Sequence, residues 1–300
     1  DRKGWDFASG DANVHDANGH GTHVSGTIGA EGDNATGVTG VNWRVKVMPL
    51  RTGNSTLSGL AIEQAFRYAC AEGAQVVNGS FGSPSPDPFV RDAIEDCPGT
   101  LFVFAAGNES TNNDAQPRYP CNYPVENIVC VAASEEDDTL APFSNYGLTN
   151  VDLAAPGAGI LSTIPGVTFD YFDGTSMAAP HVAGAAALVL SHRPTLTPLE
   201  LKNTLLLSVD KAPAYSGAVK TGGRLNVARA LSHEVTPPTG LTGSSPSHAG
   251  GWSANSTVQV AWSGAADENG IGGYSYVFSP VADFVPDEVK DTTVTTLTMS

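Results

Sequence analysis

Cationic side chains are scarce in this 300-residue sequence: 15 Lys and Arg stand against 31 Asp and Glu, for a net charge of −16. The few bases form no cluster. An acidic surface of that kind repels nucleic acid and anionic membranes alike, so neither is an expected partner. Long apolar runs are also missing. The longest, Val182 to Leu190, is mostly Ala and Val and is well short of the roughly 18 residues that a membrane span takes. No transmembrane segment is expected. Charged residues make up 15% of the chain against 41% hydrophobic, which excludes a disordered chain and a coiled coil. No C-x-x-C pair occurs, so a zinc or thioredoxin-type site is not expected. Residue 1 is Asp, no signal core is present, and the chain stops at Ser300 in a strand-like segment, Thr292 to Met299. It reads as the interior of a longer protein, which makes the lack of a targeting signal uninformative.

Turn-forming residues, by contrast, are plentiful, with Gly 33 and Pro 20. The four cysteines, Cys70, Cys97, Cys121 and Cys130, are even in number within a Gly-, Ser-, Thr- and Asn-rich chain, which points to an oxidising, extracellular compartment. Three pairings are open. Cys70–Cys97 and Cys121–Cys130 are favoured because each closes a local loop; four buried free thiols are the alternative.

Up to about residue 231, short apolar strands alternate with helical patterns. Val45 to Leu50 reads as a buried strand. Leu60, Ala61, Ala65, Phe66 and Ala69 then recur at helical spacing, with Gly73 as C-cap. Gln75 to Ser80, Leu101 to Ala106 and Ile128 to Ala133 read as strands, Pro88 to Cys97 as a short helix, and Ser176 to His192 and Pro198 to Leu207 as longer ones. Such alternation predicts an α/β fold, a mostly parallel sheet with helices on both faces. The character changes near His233. Residues 232–240 read as a proline-bearing linker, and 241–300 as an all-β module on the alternation of Val258 to Trp262 and Tyr274 to Phe278. The module resembles an immunoglobulin- or fibronectin-type sandwich, truncated because such a fold takes about 100 residues; a surface or polymer is its expected ligand.

Three segments carry reactive groups beside small residues. The first runs Asn18-Gly19-His20-Gly21-Thr22-His23, an imidazole that substrate backbone can approach closely. The second, Ala105-Ala106-Gly107-Asn108, ends a strand on an exposed amide. In the third, Gly174-Thr175-Ser176-Met177-Ala178-Ala179-Pro180-His181, a hydroxyl stands at a helix N-terminus, where the helix's positive end favours a developing anion.

Together and in this order they resemble the subtilisin-like serine proteases over about residues 4 to 231. The resemblance implies a three-layer fold in 1–231 and a secreted endopeptidase acting on polypeptides. It gives Ser176 as nucleophile, His20 as general base and Asn108 as side-chain donor to the oxyanion, with no catalytic cofactor. It also implies that Ser80, Phe81 and Gly82 pair with extended substrate by strand addition, with Phe81 in place of the usual Leu. Ala105, Ala106 and Gly107 would form one wall of the pocket for the residue before the scissile bond, the P1 residue. Arg118 stands where a small residue is usual at that pocket's base, and with Glu109 would narrow or polarise it. Glu31-Gly32-Asp33-Asn34 resembles a structural calcium loop, with a polar surface turn as the plainer reading.

One part of the family pattern is absent. No V-x-D-[ST]-G segment precedes His20, and Asp1, Asp6, Asp11 and Asp16 all lie in polar, glycine-punctuated sequence. The triad aspartate is therefore expected upstream of residue 1, and residues 1–300 alone are expected to be nearly inactive; subtilisin itself loses about 3 × 10⁴ in kcat without that group. His23, three residues after His20, lacks the H-E-x-x-H pattern of a metal pair and reads as a packed structural histidine. His181 reads as a satisfied core residue and His15 as solvated. Competing classes fare worse. An α/β-hydrolase esterase needs G-x-S-x-G, which the flanks of Ser176 do not provide. A sedolisin relative would replace His20 and Asn108, and an inactive adhesion protein leaves His20 and Ser176 without a purpose.

Overall fold

In the computed structural model, residues 4–54, 56–166 and 168–232 are described in full, with only the backbone of strands beyond them. Contacts divide the chain into two compact units, 1–231 and 232–300. The first unit begins with β1 (Trp5–Asp6), α1 (His20–Gly29), β2 (Leu50–Arg51), α2 (Gly59–Ala71), β3 (Val76–Gly79) and α3 (Pro88–Glu95). Then follow β4 (Leu101–Ala105), β5 (Ile128–Ser134), β6 (Leu153–Pro156), and a hairpin of β7 (Ile160–Ile164) and β8 (Thr168–Phe172). The long helix α4 (Thr175–His192), α5 (Pro198–Leu207), β9 (Asp210–Lys211), β10 (Gly223–Arg224) and α6 (Val227–Ser232) complete it.

A six-stranded sheet ordered β3-β4-β5-β6-β10-β9 forms the centre, parallel except for the β10–β9 pair. The unbroken apolar runs of β4 and β5 follow from burial on both faces. Leu101, Val103, Ala105, Val129, Val131 and Ala133 point into a core with α4 and α5. Their alternates Phe102, Phe104, Ala106, Ile128, Cys130 and Ala132 point the other way, toward α2 and α3. This is the three-layer α/β arrangement expected from the alternating pattern. Helix ends follow local chemistry. Ser58 caps α2 and Asp87 caps α3 ahead of Pro88, while Thr197 and Glu200 form a capping box on α5. Gly73, at φ +73°, closes α2, with Ala74 N–H donating to Ala69 O. Both favoured disulfides are present, Cys70–Cys97 joining α2 to the end of α3 and Cys121–Cys130 tying a loop to β5.

One strand expectation needs correction. Over Val45 to Leu50 only Leu50 is in a strand, and Val47 is 40% exposed. The reason is pairing: β2 finds only the two residues of β1 as a ladder, and the preceding Pro49 has no N–H to donate. The β7–β8 hairpin carried no strong alternation in the sequence and is new. In the second unit the described backbone comprises β11 (Val235–Thr236), β12 (Thr239–Ser244), β13 (Val258–Ser263), β14 (Ala266–Asp267) and β15 (Thr296–Met299). These form an antiparallel sheet β12-β13-β15 and an antiparallel pair β11-β14. Within the stretch read as a linker, α6 ends and β11 and β12 begin. Tyr274 to Phe278 lies outside the described residues, and these strands do not amount to the sandwich expected for 241–300.

Candidate active site

His20 opens α1, and the loop before it is organised by one carboxylate. Asp16 accepts from the backbone N–H of Asn18 (2.9 Å), Gly19 (2.8 Å) and Thr22 (2.8 Å) and from Thr22 Oγ1 (2.7 Å). These donors are the orphan amides of a helix start, so an acid there satisfies them and opposes the helix dipole. Burial pushes the Asp16 carboxyl up, but the hydrogen bonds from Gly19, Thr22 and Asn18 outweigh it and hold it below the usual range. His20 is half-buried. Desolvation lowers its pKa, the charge of Asp16 pulls it back up, and nearby His23 lowers it further, leaving it below the ordinary histidine value. Among the described residues the imidazole has no hydrogen-bond partner, and Asp16 spends its oxygens on the loop rather than on the ring.

Ser176 sits in the first turn of α4. Its Oγ donates to Ser80 O (3.2 Å), and Ser80 Oγ donates back to Ser176 O (2.8 Å). The second bond is made possible by Pro180: four residues on, it has no N–H with which to claim the Ser176 carbonyl. Proline inside a helix thus frees an acceptor that fastens the nucleophile segment to the end of β3.

Asn108 is exposed just beyond β4, and its Oδ1 is held by Thr175 N (2.8 Å) and Thr175 Oγ1 (2.9 Å). That fixes the amide orientation and leaves Nδ2 as a free donor. The Thr175 hydroxyl in turn accepts from Gly107 N (3.1 Å). Gly174 shows where the donors converge. A Cβ built on it would lie 3.5 Å from Asn108 Nδ2 and 3.6 Å from Ser176 N. Two N–H donors therefore flank one point beside the serine, the arrangement that stabilises an oxyanion.

The wall expected from Ala105, Ala106 and Gly107 leads off the carboxyl end of β4. Gly107, at φ +111°, must be glycine because a Cβ would meet Asn145 Nδ2 at 2.4 Å and Glu109 Oε2 at 2.7 Å. Arg118 Nε lies 3.2 Å from Glu109 Oε2, so the expected charge pair is formed. Ser80, Phe81 and Gly82 continue from β3, which is an edge of the sheet. The Phe81 ring packs with Phe66 (6.3 Å) and Phe104 (6.2 Å), so the larger residue is absorbed by an aromatic cluster.

Two contributors carried no local signal. Thr175 orients Asn108, and its only hint is its place beside Ser176. Asn145 is fully buried far along the chain: its Oδ1 accepts from Glu109 N (2.9 Å) and Thr111 N (3.0 Å), and its Nδ2 donates to Asn113 Oδ1 (3.1 Å), Glu109 Oε2 (2.9 Å) and Ala106 O (3.2 Å). His23 is fully buried and His181 Nδ1 lies 2.8 Å from Met177 O, as packed histidines do, while His15 is exposed. No group of three or more metal-ligating side chains occurs among the described residues, Glu31 to Asn34 included.

The model of the subtilase family of peptidases matches residues 1–233. The chain is 38% identical over 237 residues to a thermophilic serine proteinase from a Bacillus species, which covers 77% of this chain and 56% of that protein. It is 39% identical over 207 residues to subtilisin DY of Bacillus licheniformis, covering 67% and 74%. The solved structure of a protease from Pseudoalteromonas arctica superposes with a TM-score of 0.67 at 30% identity, covering 77% of this chain and 83% of that one. The chain thus spans little more than half the length of the first of these relatives. With the three motifs, their placement around one helix start and these matches, the chain belongs to the subtilase family.

Proposed function

We propose that this chain is the greater part of a secreted serine endopeptidase that cleaves polypeptides through an acyl-enzyme on Ser176. His20 takes the Ser176 proton as the hydroxyl attacks the peptide carbonyl and returns it to the leaving amine; water then reverses the sequence. Asn108 Nδ2 and the Ser176 N–H receive the oxyanion. The observation that carries the reading is the convergence of those two donors on the point left open by Gly174. The Ser176 hydroxyl, held by Ser80 O, must turn toward His20 as substrate binds; catalytic hydrogen bonds commonly tighten only then. Because Asp16 is committed to its loop, the reading includes a carboxylate from outside residues 1–300 to orient the imidazole. No step calls for a catalytic cofactor. Two disulfides and a strongly acidic surface suit an extracellular protein, and no described helix is long and apolar enough to cross a membrane.

Substrate would extend along Ser80, Phe81 and Gly82, with its P1 side chain against Ala105, Ala106 and Gly107 and above the Arg118–Glu109 pair. That pair makes the pocket floor narrow and polar. A library varied at P1 checks it: Arg118→Gly is expected to widen the preference toward large apolar residues, and an unchanged profile removes the pair from specificity. The reaction itself is tested by a fluorophosphonate probe. Labelling is expected on Ser176, lost in Ser176→Ala and strongly slowed in His20→Ala; labelling of another residue overturns the proposal.

A further inference from the structure

A buried histidine that catalysis does not use stands three residues from His20. His23 is fully buried on the inner face of α1, and its ring lies flat on Phe172, centroids 4.4 Å apart and planes within 3°. Its Nε2 faces two carbonyls, Ile160 O at 2.9 Å and Asp170 O at 3.2 Å, one from each strand of the β7–β8 hairpin. Carbonyls only accept, so Nε2 carries the proton and shares it between the strands. Among the described residues Nδ1 has no partner, so a cation here would be uncompensated. The other titratable groups near it are His20 on its own helix and His181 on α4.

The rest of this seam is equally close. His23 O accepts from Ser162 Oγ (2.8 Å) and Thr22 O from Thr163 Oγ1 (3.0 Å). A Cβ on Gly26 would come within 2.2 Å of Thr163 Oγ1, so helix and hairpin approach to a distance only glycine allows. The hairpin runs directly into the nucleophile. After Phe172, Asp173 accepts from Gly159 N (2.6 Å), Gly174 N donates to Gly157 O (2.8 Å), and Ser176 follows. One end of this seam therefore begins with His20 and the other ends at Ser176.

We infer that His23 is a positioning residue for the reaction: the Nε2–H it shares between β7 and β8 holds the helix that starts with His20 in register with the strand that leads to Ser176. The inference rests on the roles proposed for those two residues. A displacement of about 1 Å between reacting groups costs on the order of 10²-fold in rate. Binding should be spared, because Ser80 to Gly82 and Ala105 to Gly107 are carried by β3 and β4.

The test is fluorophosphonate inactivation of the 300-residue chain, resolved into reagent affinity and the rate of the chemical step, with the thermal midpoint measured alongside. His23→Phe keeps the stack on Phe172 and loses the donor; it is expected to slow the chemical step about 10²-fold with unchanged reagent affinity. His23→Gln, whose side-chain amide reaches about where Nε2 stands, is expected to recover most of the rate. If the Phe variant does not fold, His23→Asn, with its amide a bond too short, replaces it in the comparison. Equal chemical rates in the native chain and the donor-less variant, or no advantage of Gln over Phe or Asn, overturn the inference. Absence of labelling at Ser176 in the native chain overturns the proposed function, and the inference with it, and is told apart because it precedes any substitution at residue 23.

Discussion

Removing Asn145 tests whether the segment that carries Asn108 is held from behind. The side chain is fully buried and serves three groups that have no other described partner: Glu109 N, Thr111 N and Asn113 Oδ1. Ala106 O keeps a second donor in Asn113 Nδ2 (2.9 Å). Truncation in Asn145→Ala therefore strands three polar groups, and at about 1 kcal/mol each the loss is about 3 kcal/mol. For a domain of this size that corresponds to a fall of roughly 6–12 °C in thermal midpoint. The near-isosteric Asn145→Asp is expected to be worse at neutral pH. It would turn an oxygen toward Ala106 O, Asn113 Oδ1 and Glu109 Oε2, the three acceptors that Nδ2 now serves. In that variant the introduced carboxyl needs its proton to donate, so its folded pKa is raised. Its deficit should shrink at low pH and grow as pH rises through that folded value. Thermal melts of the three proteins between pH 4 and pH 8 (about the range that carboxyl would span) decide it. An Asp variant as stable as the native chain at neutral pH, or an Ala variant within about 0.5 kcal/mol of it, refutes the idea that these hydrogen bonds set the loop.

Other outcomes follow from the same geometry. Asn108→Ala should leave the fold intact and lower the acylation rate about 10²–10³-fold, the size of effect known from subtilisin; a loss below tenfold in single-turnover kinetics would show that Nδ2 is not an oxyanion donor. Because His20 is held below the ordinary histidine value of about 6.5, the acid limb of the labelling rate should have its midpoint below that value. Asp16→Asn, which removes the charge that raises His20, should move the midpoint lower still, and an upward move contradicts the assignment. The Asp16 carboxyl is itself depressed. Its contribution to stability is therefore present above the ordinary carboxylate range and is lost as pH falls through its folded value, which denaturant titrations at descending pH would register. Replacing Cys70 and Cys97 together by Ser should cost about 3 kcal/mol, as expected for opening a loop of this length, and an unchanged urea midpoint contradicts that.

Local sequence determined a great deal of this protein. The spacing of Leu60 to Ala69, the caps at Ser58 and Asp87 and the apolar runs of β4 and β5 are decided by interactions between near neighbours or by burial on both faces, and these are written in runs of adjacent residues. The three motifs are legible for the same reason: Gly107, Gly174 and Pro180 sit beside the groups they serve because each acts on the backbone within a few residues. Val45 to Leu50 misleads because apolar character alone does not supply a ladder; β2 is limited by what pairs with it. Only tertiary structure could reveal Asn145 beneath Glu109, Thr175 orienting Asn108, and His23 bridging the hairpin. Those contacts join residues 36, 67, 137 and 147 positions apart, and a hydrogen bond at 2.9 Å leaves no periodicity in the sequence. Chemistry was readable from composition at short range, whereas the orientation of its groups depends on distant segments meeting, which packing alone decides.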